Sequence, residues 1–265
     1  MKLSVVIPTK NEEPNIGACL GAFSSFRGEV ELIVVDNSSQ DGTRRIAEAK
    51  GARVLVQGPE RCAQRNRGWR EASGEYVMFV DADMIVPEET IREIMDVSDN
   101  RMFDCCWIPE IRTGKGLRVR ARNFERSFYD GTCIDGFRVI RRECLERVGG
   151  YDEKLVACED WDLDRRLLDM GVRTTLMSGH LIHNEARQGF AALIRKKAYY
   201  AGSVSLYRGK WGDDEICRRQ FGLYYRFLGV FIENGKWRKL VRHPILAFVM
   251  YFERFAVGLT YLINR

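Results

Sequence analysis

Two aspartates stand one residue apart where an apolar segment of the sequence ends. Asp81 and Asp83 directly follow the run YVMFV at residues 76–80, which has the length and composition of a buried strand. Side chains alternate along an extended segment, so both carboxylates can reach one divalent ion or one ribose. The same pattern also occurs at helix N-caps and in solvated turns. The pair therefore predicts either a metal and nucleotide site or an ordinary turn.

Two earlier apolar segments also end in residues suited to ligand binding. LSVVIP leads into Pro8 and Thr9, and ELIVVD ends at Asp36. Ligands of parallel α/β sheets bind at the carboxyl ends of the strands, where these loops gather. The sequence lacks the glycine-rich motifs GxGxxG and GxxxxGK[ST] of dinucleotide and P-loop folds. We therefore expect a ligand held by Mg²⁺ or Mn²⁺ and carboxylates, with a capped turn as the alternative role of Asp36.

The elements that would position these residues follow a regular order. We expect strands at LSVVIP, ELIVVD, ARVLVQ and EYVMFVDAD, and helices over residues 11–26 and 59–73. A further helix is expected in SSQDGTRRIAEAKG, where Gly51 would take a left-handed cap conformation. Alternation of this kind is typical of parallel strands with crossover helices. The predicted fold class is α/β, with a mostly parallel mixed sheet flanked by helices.

The composition excludes several classes of protein. Lys and Arg total 42 against 37 for Asp and Glu, and a net charge of +5 does not indicate nucleic-acid binding. The eight cysteines contain no CxxC spacing, so we expect reduced, mostly buried thiols. The opening MKLSVVIPTK has too short an apolar run for a signal peptide, which favours a cytoplasmic protein.

Three segments together resemble a known family. VVIPTKNEEPNI, VVDNSSQDGT and FVDADM, in this order and spacing, resemble glycosyltransferase family 2, the inverting nucleotide-sugar enzymes of Rossmann-like GT-A fold. The resemblance covers about residues 1 to 185. It implies that Pro8, Thr9 and Glu12 line the base and ribose. It also implies that Asp36 accepts a hydrogen bond from the base, whereas Asp41 is expected in a turn and helix cap.

The same resemblance assigns the aspartate pair to a metal. Asp81 and Ala82 would lie against the nucleotide, and Asp81 and Asp83 would bind Mn²⁺ or Mg²⁺, with Asp83 as the direct ligand. His183, in LIHNE, matches a histidine that family members often have near the metal or diphosphate, although a structural histidine is the alternative.

A second acidic pair begins the segment EDWDLDRRLLDMG. Leu163 and Leu167 define the buried face of a helix ended by Gly171, which leaves Glu159 and Asp160 at its N-terminal end. There the helix dipole favours ionised carboxylates, whether they cap or catalyse. The pair resembles the family's acidic motif, which implies that Asp160 is the catalytic base and that Glu159 orients the acceptor or base.

The helix over residues 59–73 carries several arginines. Family members often have Arg and Asn in this helix near the nucleotide, so Arg61 is weighed as a ligand of base or phosphate. Arg65 and Arg67 are expected to be solvated. In RKKAYYAGS, Lys196 or Lys197 could reach a diphosphate or a lipid headgroup.

Two later segments bear on location. RTGKGLRVRARNFER, residues 112–126, is predicted as a solvated loop or a mobile segment that meets lipid phosphates. In PILAFVMYFERFAVGLTYLI, Glu253 and Arg254 oppose a spanning helix, because each central charge costs about 2.5 to 3.5 kcal/mol in a bilayer. An interfacial helix is therefore predicted, with packing on the domain or a dimer contact as the rival. Its apolar face would comprise Ile245, Phe248, Val249, Phe252, Phe255, Leu259 and Leu262.

These expectations combine into a domain plan. Residues 1–190 are predicted to form the GT-A catalytic domain, with a nucleotide-binding half over 1–100 and an acceptor-binding half over 101–190. Residues 191–265 would form a C-terminal helical extension at the membrane interface.

The predicted function is metal-assisted, inverting transfer of a sugar from a nucleotide-diphosphate donor, with a UDP-sugar favoured. The acceptor would be lipid-linked or a glycan, at the cytosolic face of a membrane to which the protein binds peripherally. One alternative is a polyprenyl-phosphate hexose synthase using a GDP- or UDP-sugar. A second is a sugar-1-phosphate nucleotidyltransferase, disfavoured by the missing glycine-rich loop, and a third is a non-catalytic nucleotide-sugar or membrane-binding protein.

Overall fold

The computed structural model describes residues 3–184 and 202–263, with side chains as far as Phe255. The predictions for Lys196 and Lys197, and for the side chains of Leu259 and Leu262, lie outside these described residues. The strands are β1 Leu3–Thr9, β2 Val30–Asp36, β3 Arg53–Val56, β4 Tyr76–Phe79, β5 Met84–Ile85, β6 Cys105–Trp107, β7 Glu110–Arg112, β8 Val139–Arg141, β9 Thr174–Leu176 and β10 Leu181–His183.

Helices join and cover these strands. They are α1 Glu13–Gly21, α2 Thr43–Ala49, α3 Arg61–Glu71, α4 Glu88–Asp99, α5 Leu117–Arg126, α6 Arg142–Val148, α7 Glu159–Asp169, α8 over residues 202–211, α9 Glu215–Phe221, α10 Val230–Ile232, α11 Trp237–Arg242 and α12 Pro244–Ile263. Shorter helical turns lie at Ser24–Phe26, Tyr225–Gly229 and Glu233–Gly235.

Two sheets organise the fold. The larger has the order β3-β2-β1-β4-β8-β6-β9, in which β1 to β4 are mutually parallel and β8 is antiparallel to both of its neighbours. The smaller has the order β5-β10-β7. The predicted α/β class with a mixed, mostly parallel sheet is confirmed. In this register Thr9 lies opposite Asp36 at the carboxyl edge.

The larger sheet is buried on both faces, as alternation along β1 shows. Val5 and Ile7 belong to the apolar cluster on one face, whereas Val6 packs with Trp69 and Leu163 on the other. Helix α3 lies close to the sheet at Gly68, where a Cβ atom would stand 2.2 Å from a methyl group of Val6. This close approach carries the polar side chains of α3 to the edge where β1 and β4 end.

The prediction of a solvated loop in the basic segment was wrong for residues 117–126, which form helix α5. Ala121 and Phe124, three residues apart, are buried on one face of α5. Two arginines on another face pair with a distant carboxylate, since Glu253 lies 2.9 Å from Arg118 and 3.6 Å from Arg122. These tertiary ion pairs therefore stabilise a helix that the high density of arginines in the sequence did not indicate.

The C-terminal helices pack on α5 with one face only. Phe128, Phe231 and Met250 share an apolar cluster, and Arg254 pairs with Glu125. The two charges in the middle of α12 thus face the domain rather than a polar outer face. Among the residues described, no helix combines the length and apolar character needed to cross a membrane.

The opposite face of α11 and α12 exposes large apolar side chains at helical spacing. We call this row the C-terminal apolar stripe. It comprises Trp237, Val241, Ile245, Phe248, Phe252 and Phe255, each about half exposed or more.

Candidate active site

The edge formed by β1 and β2 holds a buried carboxylate. Asp36 is fully buried and accepts hydrogen bonds from the Thr9 hydroxyl at 3.2 Å and from the Ser39 amide and hydroxyl at 2.8 and 2.5 Å. The bond to the Ser39 amide closes the turn after β2, which was the alternative role predicted for Asp36. Helix α3 secures the same edge, because the Gln64 amide donates to the carbonyls of Thr9 and Val35.

Glu12 lies beside the aspartate pair. Burial raises the pKa of Glu12, a hydrogen bond from Asn15 lowers it, and the carboxylates of Asp83 and Asp81 raise it further. Negative charge therefore accumulates where β1 and β4 end, and a cation would relieve it. Asp41 accepts from the Thr43 amide at 3.0 Å and so takes the predicted turn role, whereas the N-cap position of α2 belongs to Gly42.

The small sheet brings Asp83 and His183 together across 100 residues of sequence. Strand β10 pairs with β5, and His183 Nε2 lies 3.1 Å from Asp83 Oδ2. The Asn184 amide also donates to the Asp83 carbonyl at 2.9 Å, which fixes the turn that carries the aspartate. The structure thus places His183 beside the metal-binding position that the sequence predicts.

The donor set of this turn fits a hard divalent cation. The Asp83 carboxylate supplies the oxygen ligand that Mn²⁺ and Mg²⁺ favour, and the His183 imidazole supplies a nitrogen ligand that is less typical of Mg²⁺; in nucleotide enzymes such ions take further oxygens from substrate phosphates. The described residues contain no group of three or more His, Cys, Asp or Glu side chains able to hold a metal. Asp81 therefore does not complete a three-residue protein site with Asp83 and His183, and its carboxylate pairs with Arg65.

Arg65 corrects the prediction of a solvated side chain. It is only 2% exposed, and its guanidinium lies 3.1 Å from Asp81, 3.1 Å from Asp160 and 3.5 Å from Glu159. We call these four residues the Arg65 cluster. Position 65 follows Cys62 by three residues and precedes Trp69 by four, so helical periodicity already placed it on the buried stripe. The charge of Arg65 nevertheless favoured a solvated side chain, because arginines are rarely buried without partners.

The cluster changes the acidity of its members. Burial raises the pKa of Asp81, but the guanidinium groups of Arg65, Arg138 and Arg61 outweigh it and hold that pKa well below its usual range. Arg67, by contrast, is half exposed, as predicted, and pairs with Glu71.

The second acidic pair opens helix α7 as expected. The N-cap position belongs to Cys158, whose side chain makes no capping hydrogen bond, and Asp160 accepts from Arg65. Burial and the neighbouring Asp160 raise the pKa of Glu159 to about 7, although Arg65 and Arg61 oppose the shift. A carboxyl group of this acidity can hold or release a proton near neutral pH. The exposed Arg61 approaches Glu159 to 4.0 Å.

A cavity of about 300 Å³ opens beside Asp160. We call it the Asp160 cavity; its walls include Arg126, Tyr129, Gly136, Arg138, Trp161 and Arg226. Gly136 permits close contact, since a Cβ atom there would stand 3.0 Å from that of Asp160. Buried Asp164 fixes the same loop by accepting twice from the Phe137 amide at 3.1 Å. The cavity has room for part of a substrate next to the predicted base.

Ala82 and Pro8 were also predicted to line the nucleotide site. Ala82 is buried between the two aspartates, and Pro8 lies within β1 opposite Val35. Their contacts with a nucleotide, like that of Arg61, stay predictions.

The fold and this site define a class of protein, the nucleotide-sugar transferases of GT-A fold. The model of the glycosyl transferase family 2 matches residues 4–150. The chain therefore belongs to glycosyltransferase family 2, as the sequence predicted, and is a glycosyltransferase. Glycosyltransferase AglE of Haloferax volcanii is 37% identical over 257 residues, covering 83% of this chain and 78% of AglE.

Solved structures agree on the fold. The crystal structure of Staphylococcus aureus TarS 1–349 with UDP-GlcNAc has a TM-score of 0.64 at 19% identity, covering 94% of this chain and 79% of that chain. TarS is a poly(ribitol-phosphate) β-N-acetylglucosaminyltransferase. Its sequence is 31% identical to this chain over a segment that covers 39% of this chain and 20% of full-length TarS. Mannosyltransferase PcManGT of Pyrobaculum calidifontis, with GDP-Man and Mn²⁺, has a TM-score of 0.62 at 21% identity, covering 99% and 80% of the two chains.

Proposed function

We propose that this enzyme transfers a sugar from a nucleoside-diphosphate donor to an acceptor with inversion, by direct displacement at the anomeric carbon. The observation that carries the proposal is the Arg65 cluster, in which one buried guanidinium contacts both Asp81 on the donor side and Asp160 on the acceptor side. Direct displacement requires a single base opposite the leaving group, and Asp160 lines the cavity where an acceptor would enter.

The residues take separate roles in this scheme. Asp160 accepts the proton of the acceptor hydroxyl, and Glu159 orients that acceptor or the base. Thr9, Pro8, Glu12 and Asp36 hold the base and ribose. Asp36 accepts three hydrogen bonds, and its remaining lone-pair site is on Oδ2, which lies 3.7 Å from Arg44 and would be the one that meets the base of the nucleotide.

The diphosphate end of the donor would meet the aspartate turn. Asp83 and His183 would hold Mn²⁺ or Mg²⁺, with Asp81 and Ala82 beside the nucleotide and Arg61 near its phosphates or base. A divalent ion bound there neutralises charge that develops on the leaving diphosphate. Structures of proteins with this fold contain UDP-GlcNAc or GDP-Man, so the fold is compatible with either nucleotide. We favour UDP as the nucleotide of the donor.

We also propose that the enzyme works at the cytosolic face of a membrane, on a lipid-linked or glycan acceptor. The C-terminal apolar stripe supports this location, because Arg238, Lys239 and Arg242 of α11 are exposed beside Trp237 and Val241, the first residues of the stripe. Apolar side chains beside cations suit a helix lying among anionic headgroups. In this plan residues 1–190 form the catalytic domain and residues 191–265 the membrane-facing extension.

Calorimetric titration with UDP and with GDP, each with and without Mn²⁺, tests the donor assignment. We expect metal-dependent binding of one nucleotide, at least tenfold weaker in Asp83→Ala, which removes a ligand of the ion. Asp96→Ala, an exposed aspartate of α4, is the matched control and should bind as the wild type does. Absence of binding under every condition would refute the proposed function.

A polyprenyl-phosphate hexose synthase is the alternative, and its acceptor nucleophile is a phosphate that needs less help from a base. Asp160→Asn separates the two. Loss of 10²- to 10⁴-fold in transfer, with donor binding intact, supports a hydroxyl acceptor and a base. A smaller loss supports the phosphate acceptor.

A further inference from the structure

We infer that the Asp160 cavity binds an acceptor that carries a phosphate group, and that Arg226 is the ligand of this phosphate. The inference deepens the proposed function and rests on it, since it names the chemistry of the second substrate.

Most charged side chains that line the cavity already form ion pairs with groups of opposite charge. Arg126 lies 2.8 Å from Asp135 and 3.8 Å from Glu110. Arg138 forms an ion pair with the same Glu110. Asp160 is paired with the buried guanidinium of the Arg65 cluster. These groups bring no surplus charge to a ligand.

Arg226 differs from the other cationic walls. Its guanidinium lies over the ring of Tyr129, with 5.6 Å between the guanidinium carbon and the ring centroid. No carboxylate of the described residues lies within ion-pair distance of it. A half-buried guanidinium retains a strong preference for an anion, and its planar fork matches phosphate oxygens.

The backbone around Arg226 is held in place. Arg254 of α12 donates to the Arg226 carbonyl at 2.5 Å, and Tyr225 of the same turn donates to Glu233 at 3.0 Å. The turn is thus anchored to the helices that carry the C-terminal apolar stripe. A phosphate bound at Arg226 and an acceptor oxygen at Asp160 would occupy one cavity, whose Tyr129 and Trp161 rings can cover the intervening part of the acceptor.

Calorimetry in metal-free buffer tests the inference with three probes: glycerol 3-phosphate, geranyl phosphate and glycerol. Metal is left out so that a phosphate cannot bind at Asp83. We expect both phosphates, and not glycerol, to bind the wild type, and Arg226→Gln to weaken binding about ten- to hundredfold. Preference for geranyl phosphate identifies a lipid phosphate, and equal binding identifies a soluble phosphate ester.

Arg219→Gln is the matched control. Arg219 also lies over a tyrosine ring in this segment, but it pairs with Glu215 and does not line the cavity. Arg226→Lys retains the charge but not the planar fork, so it should bind phosphate more tightly than Arg226→Gln and less tightly than the wild type, which separates lost charge from lost folding. Equal phosphate binding by wild type and Arg226→Gln, or no phosphate binding at all, would overturn the inference.

Titration of each variant with UDP and GDP in Mn²⁺ distinguishes the two possible failures. If a nucleotide binds but phosphates do not, only the acceptor inference fails. If no nucleotide binds, the proposed function fails and the inference falls with it.

Discussion

The Arg65 cluster and the C-terminal apolar stripe reverse the ordinary distribution of side chains in opposite ways. The cluster buries a guanidinium among three carboxylates, whereas the stripe exposes Ile245, Phe248, Phe252 and Phe255 by 65% to 72%. Burying a charge costs several kcal/mol per ion, which interactions with its partners must offset. A large exposed apolar surface promotes association with other molecules. Neither arrangement is what stability alone would favour, which is the physical reason for proposing a binding site at each.

The largest expected effect comes from breaking the cluster. Arg65→Met should lower the free energy of unfolding by about 3 to 5 kcal/mol, because it leaves the buried Glu159 and the partly buried Asp81 and Asp160 without their cation. Arg67→Met, two residues away, removes an arginine that is 49% exposed, and should cost about 0 to 1 kcal/mol. Urea denaturation of both variants measures the difference. Equal losses would mean that burial does not set the two arginines apart.

An intermediate effect should appear in the pH dependence of stability. The pKa of Glu159 is about 7 in the folded protein against an ordinary value of 4.5, so the folded state keeps a proton that the unfolded chain releases. That stabilisation is complete below pH 4.5 and is lost as the pH rises through 7. Glu159→Gln removes this titration. The stability of the wild type relative to the variant should therefore fall by up to about 3 kcal/mol between pH 4.5 and 8.

Urea midpoints of the wild type and Glu159→Gln at the two pH values provide this measurement. Glu146→Gln, on the exposed side of α6, serves as the control for removing a glutamate elsewhere. A difference between wild type and Glu159→Gln that stays constant with pH would contradict the assigned acidity.

The smallest effect on stability is expected from the stripe. The double variant Phe248→Ser and Phe252→Ser should change the free energy of unfolding by less than about 0.5 kcal/mol, since both rings are exposed. It should weaken binding to vesicles of three parts phosphatidylcholine to one part phosphatidylglycerol at least tenfold, because burial of each ring contributes about 1.5 to 3 kcal/mol.

Phe231→Ala provides the contrast, because this ring is fully buried and its loss should cost about 3 to 5 kcal/mol. Vesicle sedimentation and light scattering distinguish the possible partners of the stripe. Dimers of the wild type that dissociate in the double variant, without vesicle binding, would assign the stripe to a second copy of the chain.

The sequence by itself determined the local elements of this protein. Alternation and apolar runs predicted β1, β2, β3 and β4, and the left-handed Gly51 and Gly171 ended helices where expected. The acidic pairs were placed correctly at the end of β4 and the start of α7, because strand ends and helix starts carry signals within a few neighbouring residues.

Only the tertiary structure decided which of these residues meet. His183 reaches Asp83 through the pairing of β10 with β5. Arg65 contacts both Asp81 and Asp160, the latter 95 residues away in sequence. Segment 117–126 is stabilised as a helix by Glu253 and Met250 of α12, which meet it from far along the chain. The burial of a charge depends on partners brought by distant elements, and no window of neighbouring residues contains that information.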